Sequence, residues 1–294
     1  MPHILKNEQL EVHIDLPDEN YNFSRFDWTG KIVKAVFQNI DIGGIERTDI
    51  VNKDHFGQGF YNEFGIDTAL GFQEVEIGGW FHKIGVGLLK KEDDEYLFHK
   101  KYEIKPAQFK IAAESHKIVI TCISEAINGY SYILKKEIAV QASSFTITYY
   151  LQNTGEKEIS TTEYVHNFMA INNDLIGENY VLKFPFQLKP KLFGDTVNPE
   201  QKVDIGEDEI TFNSPSKDQF FFSNLSGGEN IDAAWELLHL PSTIGISETG
   251  SFQTNKVNLW GWKHVVSPEL FYTLHCKPGQ STEWTRTYNI FNVK

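Results

Sequence analysis

Apolar and polar positions alternate along this chain in short runs. Tyr132–Val140 reads Tyr-Ile-Leu-Lys-Lys-Glu-Ile-Ala-Val, Ser144–Leu151 reads Ser-Phe-Thr-Ile-Thr-Tyr-Tyr-Leu, and Glu158–Tyr164 reads Glu-Ile-Ser-Thr-Thr-Glu-Tyr. A period of two sends successive side chains to opposite faces of a strand, and Val, Ile, Phe, Tyr and Thr suit that pleated surface. The pattern predicts three strands in meander order. A tight hairpin is expected at Asn153-Thr154-Gly155-Glu156-Lys157, because Asn and Gly reach positive φ most cheaply. Similar strand signals occur at 31–40, 117–124, 179–186, 209–213, 220–222, 243–247, 256–260, 269–275 and 283–291, bounded by Gly, Asn or Asp. No segment keeps an i, i+3, i+4, i+7 apolar stripe over three turns, so any helix is expected to be short. Without a low-complexity linker or a long internal repeat, the chain reads as one all-β domain over residues 1–294. The architecture expected is a large antiparallel β-sandwich with two sheets packed face to face.

Composition narrows the function. The 294 residues are 40% hydrophobic and 14% aromatic, enough apolar surface to offset chain entropy, which excludes a disordered chain. The formal net charge of −13 and the lack of a Lys/Arg-rich run argue against a phosphate-backbone binder, so no nucleic-acid partner is expected. That acidity also serves solubility. Apolar windows are interrupted by Lys, Glu or Gly, so no membrane span is expected. The start Met1-Pro2-His3-Ile4-Leu5-Lys6 lacks the pattern of a signal peptide. Cys122 and Cys276 form neither a disulfide framework nor a zinc motif and read as buried apolar residues, so the expected location is cytoplasmic.

Neither Gly30-Lys31-Ile32 nor Gly85-Val86-Gly87 makes a phosphate-binding loop, and no nucleophile elbow is present. No cofactor and no metal centre are expected, since the spacing of His264 and His275 matches no ligand motif.

Four segments set polar groups among aromatics. In Thr162-Glu163-Tyr164-Val165-His166-Asn167-Phe168, alternation puts Tyr164, His166 and Phe168 on one face and Val165 and Asn167 on the other. The competing reading of His166 is a hydrogen-bonded core histidine. In Trp260-Gly261-Trp262-Lys263-His264-Val265-Val266-Ser267-Pro268-Glu269, a carboxylate stands where a strand is predicted to begin, a place where solvation alone would account for it. In Ser24-Arg25-Phe26-Asp27-Trp28, an Arg–Asp surface pair is the alternative to a binding site. Gly78 to Leu89 combines glycines with His82 and Lys83, and serves close approach to a ligand or a β-bulge equally well.

Together and in this order, these segments resemble the galactose mutarotase-like family, specifically its aldose 1-epimerase-related branch, from about Tyr21 to Phe291. The resemblance is carried by Arg25-Phe26-Asp27-Trp28-Thr29-Gly30, by Lys83-Ile84-Gly85-Val86-Gly87 with Tyr96 and Tyr102, by Asn153-Thr154-Gly155 leading to His166-Asn167-Phe168, and by Ser267-Pro268-Glu269 with Pro278-Gly279. It implies a β-supersandwich whose concave face binds a pyranose and interconverts its anomers. His166 matches the general acid that protonates the ring oxygen, and Glu269 the base that takes the anomeric hydroxyl proton. Arg25 and His82 match residues that hold sugar hydroxyls, with Lys83 competing for the place of His82. Asn167 and Trp260 are the further substrate contacts expected, and Tyr164 and Trp262 are other rings on which a sugar could stack. The better-known galactose enzymes carry Leu-His-Gly-Gly and His-Ser/Thr-Tyr-Phe-Asn-Leu where this chain reads Phe81-His82-Lys83 and His166-Asn167-Phe168. The expected partner is thus a hexose. A non-catalytic glycan-binding protein and a hexose-6-phosphate mutarotase are the alternatives, and a glycoside hydrolase ranks last.

Overall fold

The computed structural model describes residues 2–50 and 55–293. Among them the regular elements are β-strands and two single 3-10 turns, Phe72–Glu74 and Pro190–Leu192. One large sheet sets His3–Lys6, Leu10–Asp15, Lys31–Phe37, Phe60–Phe64, Ile159–Asn167 and Tyr272–Cys276 side by side, with Ile40–Ile42 also paired to Lys31–Phe37. The other runs in the order Val203–Ile205, Glu209–Phe212, Tyr180–Lys183, Ile231–His239, Ile244–Thr254, Ser281–Asn292, Ser144–Asn153, Tyr132–Gln141, Lys117–Ile123, Gln108–Ala113. Two smaller sheets flank them. One holds Thr196–Val197, Phe220–Phe222, Val257–Trp262 and Val265–Leu270, and the other Trp80–Lys83, Gly87–Lys90 and Ile104–Pro106. The strands pair antiparallel, and the molecule is the all-β sandwich that the alternation predicts.

The two large sheets bury their facing sides against each other. Ile32, Phe60, Phe64 and Val165 of the first meet Ile138, Phe145, Tyr149, Trp284 and Tyr288 of the second. Each such side chain fully withdrawn from water contributes about 1.5–3 kcal/mol. Lys117–Ile123 and Ser144–Asn153 bury every second residue, the signature of strands covered on one face. Both cysteines are buried and unpaired. Among the described residues no helix is long and apolar enough to cross a membrane.

Two strand expectations are corrected. The predicted meander ends after two strands: Ser144–Asn153 has Ser281–Asn292 as its second neighbour, and Ile159–Asn167 crosses into the other sheet beside Phe60–Phe64. Asn153 holds this corner. Its buried amide donates to the carbonyls of Lys157 (2.8 Å) and Cys276 (2.7 Å), and its Oδ1 accepts the Gly155 amide, so the segment is an Asx turn between sheets rather than a hairpin. The second concerns the run predicted at 269–275. The strand starts at Val265 and ends at Leu270, and a new one in the other sheet starts at Tyr272. The chain changes sheets at Phe271, whose ring stacks on Tyr164 at 4.6 Å.

Candidate functional site

A cavity of about 750 Å³ opens over the His166 end of Ile159–Asn167 and one face of the four-stranded sheet. Alternation along Ile159–Asn167 decides what reaches it. Tyr164 and His166 line the cavity, whereas Glu163 and Asn167 are bonded within the sandwich, to Arg286 and Tyr288 respectively. Just past this strand, Met169 exchanges two backbone hydrogen bonds with Val266, of 2.9 and 3.0 Å. That bridge ties the His166 strand to Val265–Leu270, which carries Glu269. The two candidate groups, far apart in sequence, come together with His166 Nε2 at 3.4 Å from Glu269 Oε1.

Both side chains are about 95% shielded from solvent. His166 stacks on Phe168 with ring centroids 4.0 Å apart, and the Trp260 ring stands edge-on at 5.1 Å. Gly57 makes room for this stack, since a Cβ there would lie 2.3 Å from Phe168 Cε2. Burial drives the His166 imidazole well below its ordinary pKa, with the positive charge of Arg25 acting in the same direction. Burial pushes the Glu269 carboxyl up to about 8, against the opposing pull of Arg25. The Ser267 hydroxyl donates to Glu269 Oε1 at 3.4 Å.

Arg25 is fixed on several sides. Its Nε donates to Glu63 Oε2 (2.9 Å), Nη1 to Glu46 Oε1 (3.2 Å) and Nη2 to the Tyr164 hydroxyl (3.2 Å). The rings of Phe26 and Phe98 lie 4.5 and 4.6 Å from the guanidinium carbon. Glu63 also accepts from Tyr164 (2.8 Å) and from Lys83 Nζ (3.1 Å). Charge-assisted bonds of this kind set orientation as well as energy.

No family model matches the sequence, and no curated protein matches it. Solved structures do share its architecture. A protein of Escherichia coli K12 provisionally named an aldose 1-epimerase superimposes with a TM-score of 0.63 at 8% identity, over 100% of this chain and 99% of the other. A galactose mutarotase related enzyme from Lactobacillus acidophilus gives a TM-score of 0.61 at 10% identity over the whole of both chains. The Slr1438 protein of Synechocystis sp. PCC 6803 gives 0.62 at 11% identity, over 99% and 96%. The chain has the galactose mutarotase-like fold.

Within this mutarotase-like fold, four of the seven expected site residues line the cavity: Arg25, His166, Trp260 and Glu269. His82, Lys83 and Asn167 are not among its walls. His82 lies buried between the rings of Tyr130 and Tyr132, where desolvation lowers it to about 4. Lys83 is buried behind Glu63, bonded to that carboxylate and to the Tyr96 hydroxyl (2.9 Å), and so bears on Arg25 at one remove. Asn167 donates to Glu248 Oε2 (2.9 Å) and the Pro268 carbonyl (2.8 Å) and accepts from Tyr288 (2.9 Å), all inside the sandwich. Trp262 donates to the Lys217 carbonyl and is not a wall residue either. Arg25 and Asp27 do not form a surface pair: Asp27 is buried and bonds Thr29 and Lys136 instead. Gly85, at φ +81°, makes the turn between Trp80–Lys83 and Gly87–Lys90, where a Cβ would lie 2.1 Å from Asp27 Oδ1.

Glu46, Glu63, Asn258 and Phe271 were not singled out by sequence reasoning. Glu63 did leave a signal. An acidic residue inside Phe60-Tyr61-Asn62-Glu63-Phe64, a strand buried at all five positions, requires a cationic partner, although the sequence does not say which.

Proposed function

We propose that the protein is an aldose 1-epimerase that interconverts the α and β anomers of a hexose, with His166 and Glu269 as its acid and base. The reading is carried by the 3.4 Å approach of His166 Nε2 and Glu269 Oε1 in the cavity wall. The two oxygens that must exchange protons, O1 and the ring oxygen O5, are bonded to the same carbon. An acid and a base with adjacent tips suit that geminal pair. A retaining or inverting hydrolase instead needs two carboxyl groups separated by about 5–10 Å across the scissile bond.

The proton inventory is consistent with this chemistry. With Glu269 raised to about 8 and His166 lowered by burial, the pair holds one proton near neutral pH, on Glu269, and moving it to His166 gives carboxylate and imidazolium with the same total charge. Arg25 favours the carboxylate form of Glu269. Glu269 then takes the O1 proton while His166 gives its proton to O5, and the C1–O5 bond breaks to leave the open-chain aldehyde. Rotation about C1–C2 presents the other face of the carbonyl. Return of both protons along the same paths closes the ring as the opposite anomer and restores both side chains. Arg25 is the group that orients sugar hydroxyls, and Trp260 offers a ring for the apolar side of the pyranose.

An unphosphorylated sugar is the better match. Each guanidinium or ammonium group in the wall already holds a carboxylate among the described residues: Arg25 with Glu63 and Glu46, Arg47 with Asp49, and Lys256 with Asp67. Saturation-transfer NMR of anomer exchange on free hexoses and their 6-phosphates tests the proposal. Exchange enhanced by the wild type and lost in Glu269→Gln is expected. Binding without exchange on any sugar would select a glycan-binding protein instead.

A further inference from the structure

The cavity has room for more than the proposed substrate. A hexose has twelve non-hydrogen atoms, and even at the ~30 Å³ that a water occupies in the liquid it would fill less than about 360 Å³. The cavity measures about 750 Å³, and one of its walls is a continuous sheet. That wall is the four-stranded sheet, whose register leads away from Glu269 in two rows. Glu269 faces Asn258 on the neighbouring strand, and Ser267 faces Trp260. On the third strand Phe221 faces Trp260. Ser223 follows that strand and carries the polar row on, and Asp195, just before Thr196–Val197, accepts the Ser223 amide on its carbonyl at 2.9 Å. Glu269, Asn258, Ser223 and Asp195 all line the cavity, as do Trp260 and Phe221. At about 4.8 Å per strand, the polar row runs about 14 Å outward from Glu269.

The polar row has atoms to offer. Asn258 Oδ1 accepts the Asn224 amide, leaving its Nδ2 to donate, and Ser223 Oγ accepts the Asp195 amide, leaving its hydroxyl proton to donate. Asp195 adds an exposed carboxylate, an acceptor for hydroxyls that also disfavours an anion. Beside them lie the half-buried rings of Trp260 and Phe221. Hydroxyl-matching groups along one edge and aromatic faces along the other are the recognition chemistry of an uncharged sugar ring.

We propose that this track is a second sugar subsite, and that the preferred substrate is the reducing end of a di- or oligosaccharide. The inference rests on the mutarotase reading for the first ring, which sits at His166 and Glu269 with its anomeric hydroxyl free. The second ring, joined through a hydroxyl of the first, lies over Phe221 with its own hydroxyls on Ser223 and Asp195.

Two measurements on the full chain separate this inference from that reading. Calorimetry compares glucose and galactose with maltose, cellobiose and lactose, for the wild type, Phe221→Ala and Ser223→Ala. At least one disaccharide is expected to bind tenfold or more tighter than its reducing-end monosaccharide, and Phe221→Ala to reduce that ratio to within about threefold of unity. A wild-type ratio near one for all three disaccharides, or a ratio unmoved in both variants, overturns the second subsite. Anomer exchange by NMR on the same sugars reads the other question. Its absence on every sugar removes the mutarotase assignment and leaves the binding ratio to decide the subsite alone.

Discussion

At neutral pH the Glu269 carboxyl, raised to about 8 by burial, keeps its proton, while the His166 imidazole, lowered by the same burial, takes none. Two groups this close titrate as a pair, and the productive state is the one holding a single proton. Exchange measured as kcat/KM is therefore expected to be level from pH 6.5 to 7.5 and to fall above about pH 8, as that proton is lost. A falling limb near pH 5.5 and no loss at pH 9 would contradict it. His166→Ala and Glu269→Gln are each expected to lower exchange by ~10²–10⁴-fold, the usual worth of one positioned acid or base. Glu269 also links stability to pH. Unfolded, it ionises near its ordinary 4.5; folded, it holds its proton to about 8. Its contribution is thus fully present below pH 4.5 and is lost as pH rises through 8. Glu269→Gln removes that dependence, so the melting temperature of the variant relative to wild type is expected to rise between pH 5 and pH 9. An unchanged difference across that range would refute the raised carboxyl.

The strand Ile159–Asn167 works on both faces. One face supplies Tyr164 and His166 to the cavity, and the other anchors the strand through Glu163 and Asn167. Asn167→Ala would take away the acceptor of the buried Tyr288 hydroxyl and the donor to the Pro268 carbonyl, and would leave Glu248 with Trp235 and Arg286 alone, which is expected to cost about 1–3 kcal/mol. A urea denaturation midpoint is the readout, and an unshifted midpoint would show that these bonds are dispensable. The alternation of Tyr164, His166 and Phe168 was legible because a strand's period of two is a local property. Ile231–His239 was not legible. Its Ala-Ala-Trp-Glu-Leu-Leu core is rich in helix formers, yet it forms a central strand between Tyr180–Lys183 and Ile244–Thr254, because pairing on both edges outweighs intrinsic preference. The Gly78–Leu89 segment left two uses open. Gly85 serves a tight turn against Asp27 and Gly87 a close approach to the Lys105 backbone, and nothing local distinguishes those uses from ligand contact.

Across the whole molecule, the two large sheets are clamped by Arg286. Its Nη2 donates to Glu163 Oε2 (2.8 Å) and the Leu270 carbonyl (2.9 Å), and its Nη1 to Glu248 Oε1 (2.5 Å), with all three side chains buried. Arg286→Met would leave two buried carboxylates unpaired, an expected loss of about 3–5 kcal/mol, measurable by chemical denaturation. The clamp engages the strand that carries His166 and the end of the strand that carries Glu269, so the site stands on a buried ion-pair network. The sequence by itself determined the all-β class and about half of the strands, because alternation and turn residues act over a few positions. Arg25, His166 and Glu269 were singled out by the family resemblance that short segments carry, and Trp260 as a ring on which a sugar could stack; all four lie on cavity-facing positions. Only the tertiary structure decided the corner at Asn153, the retreat of His82, Lys83 and Asn167 into the interior, and the partners of Arg25. Those depend on pairings between strands far apart in the chain, where the burial of a charge is settled by which opposite charge the fold brings beside it.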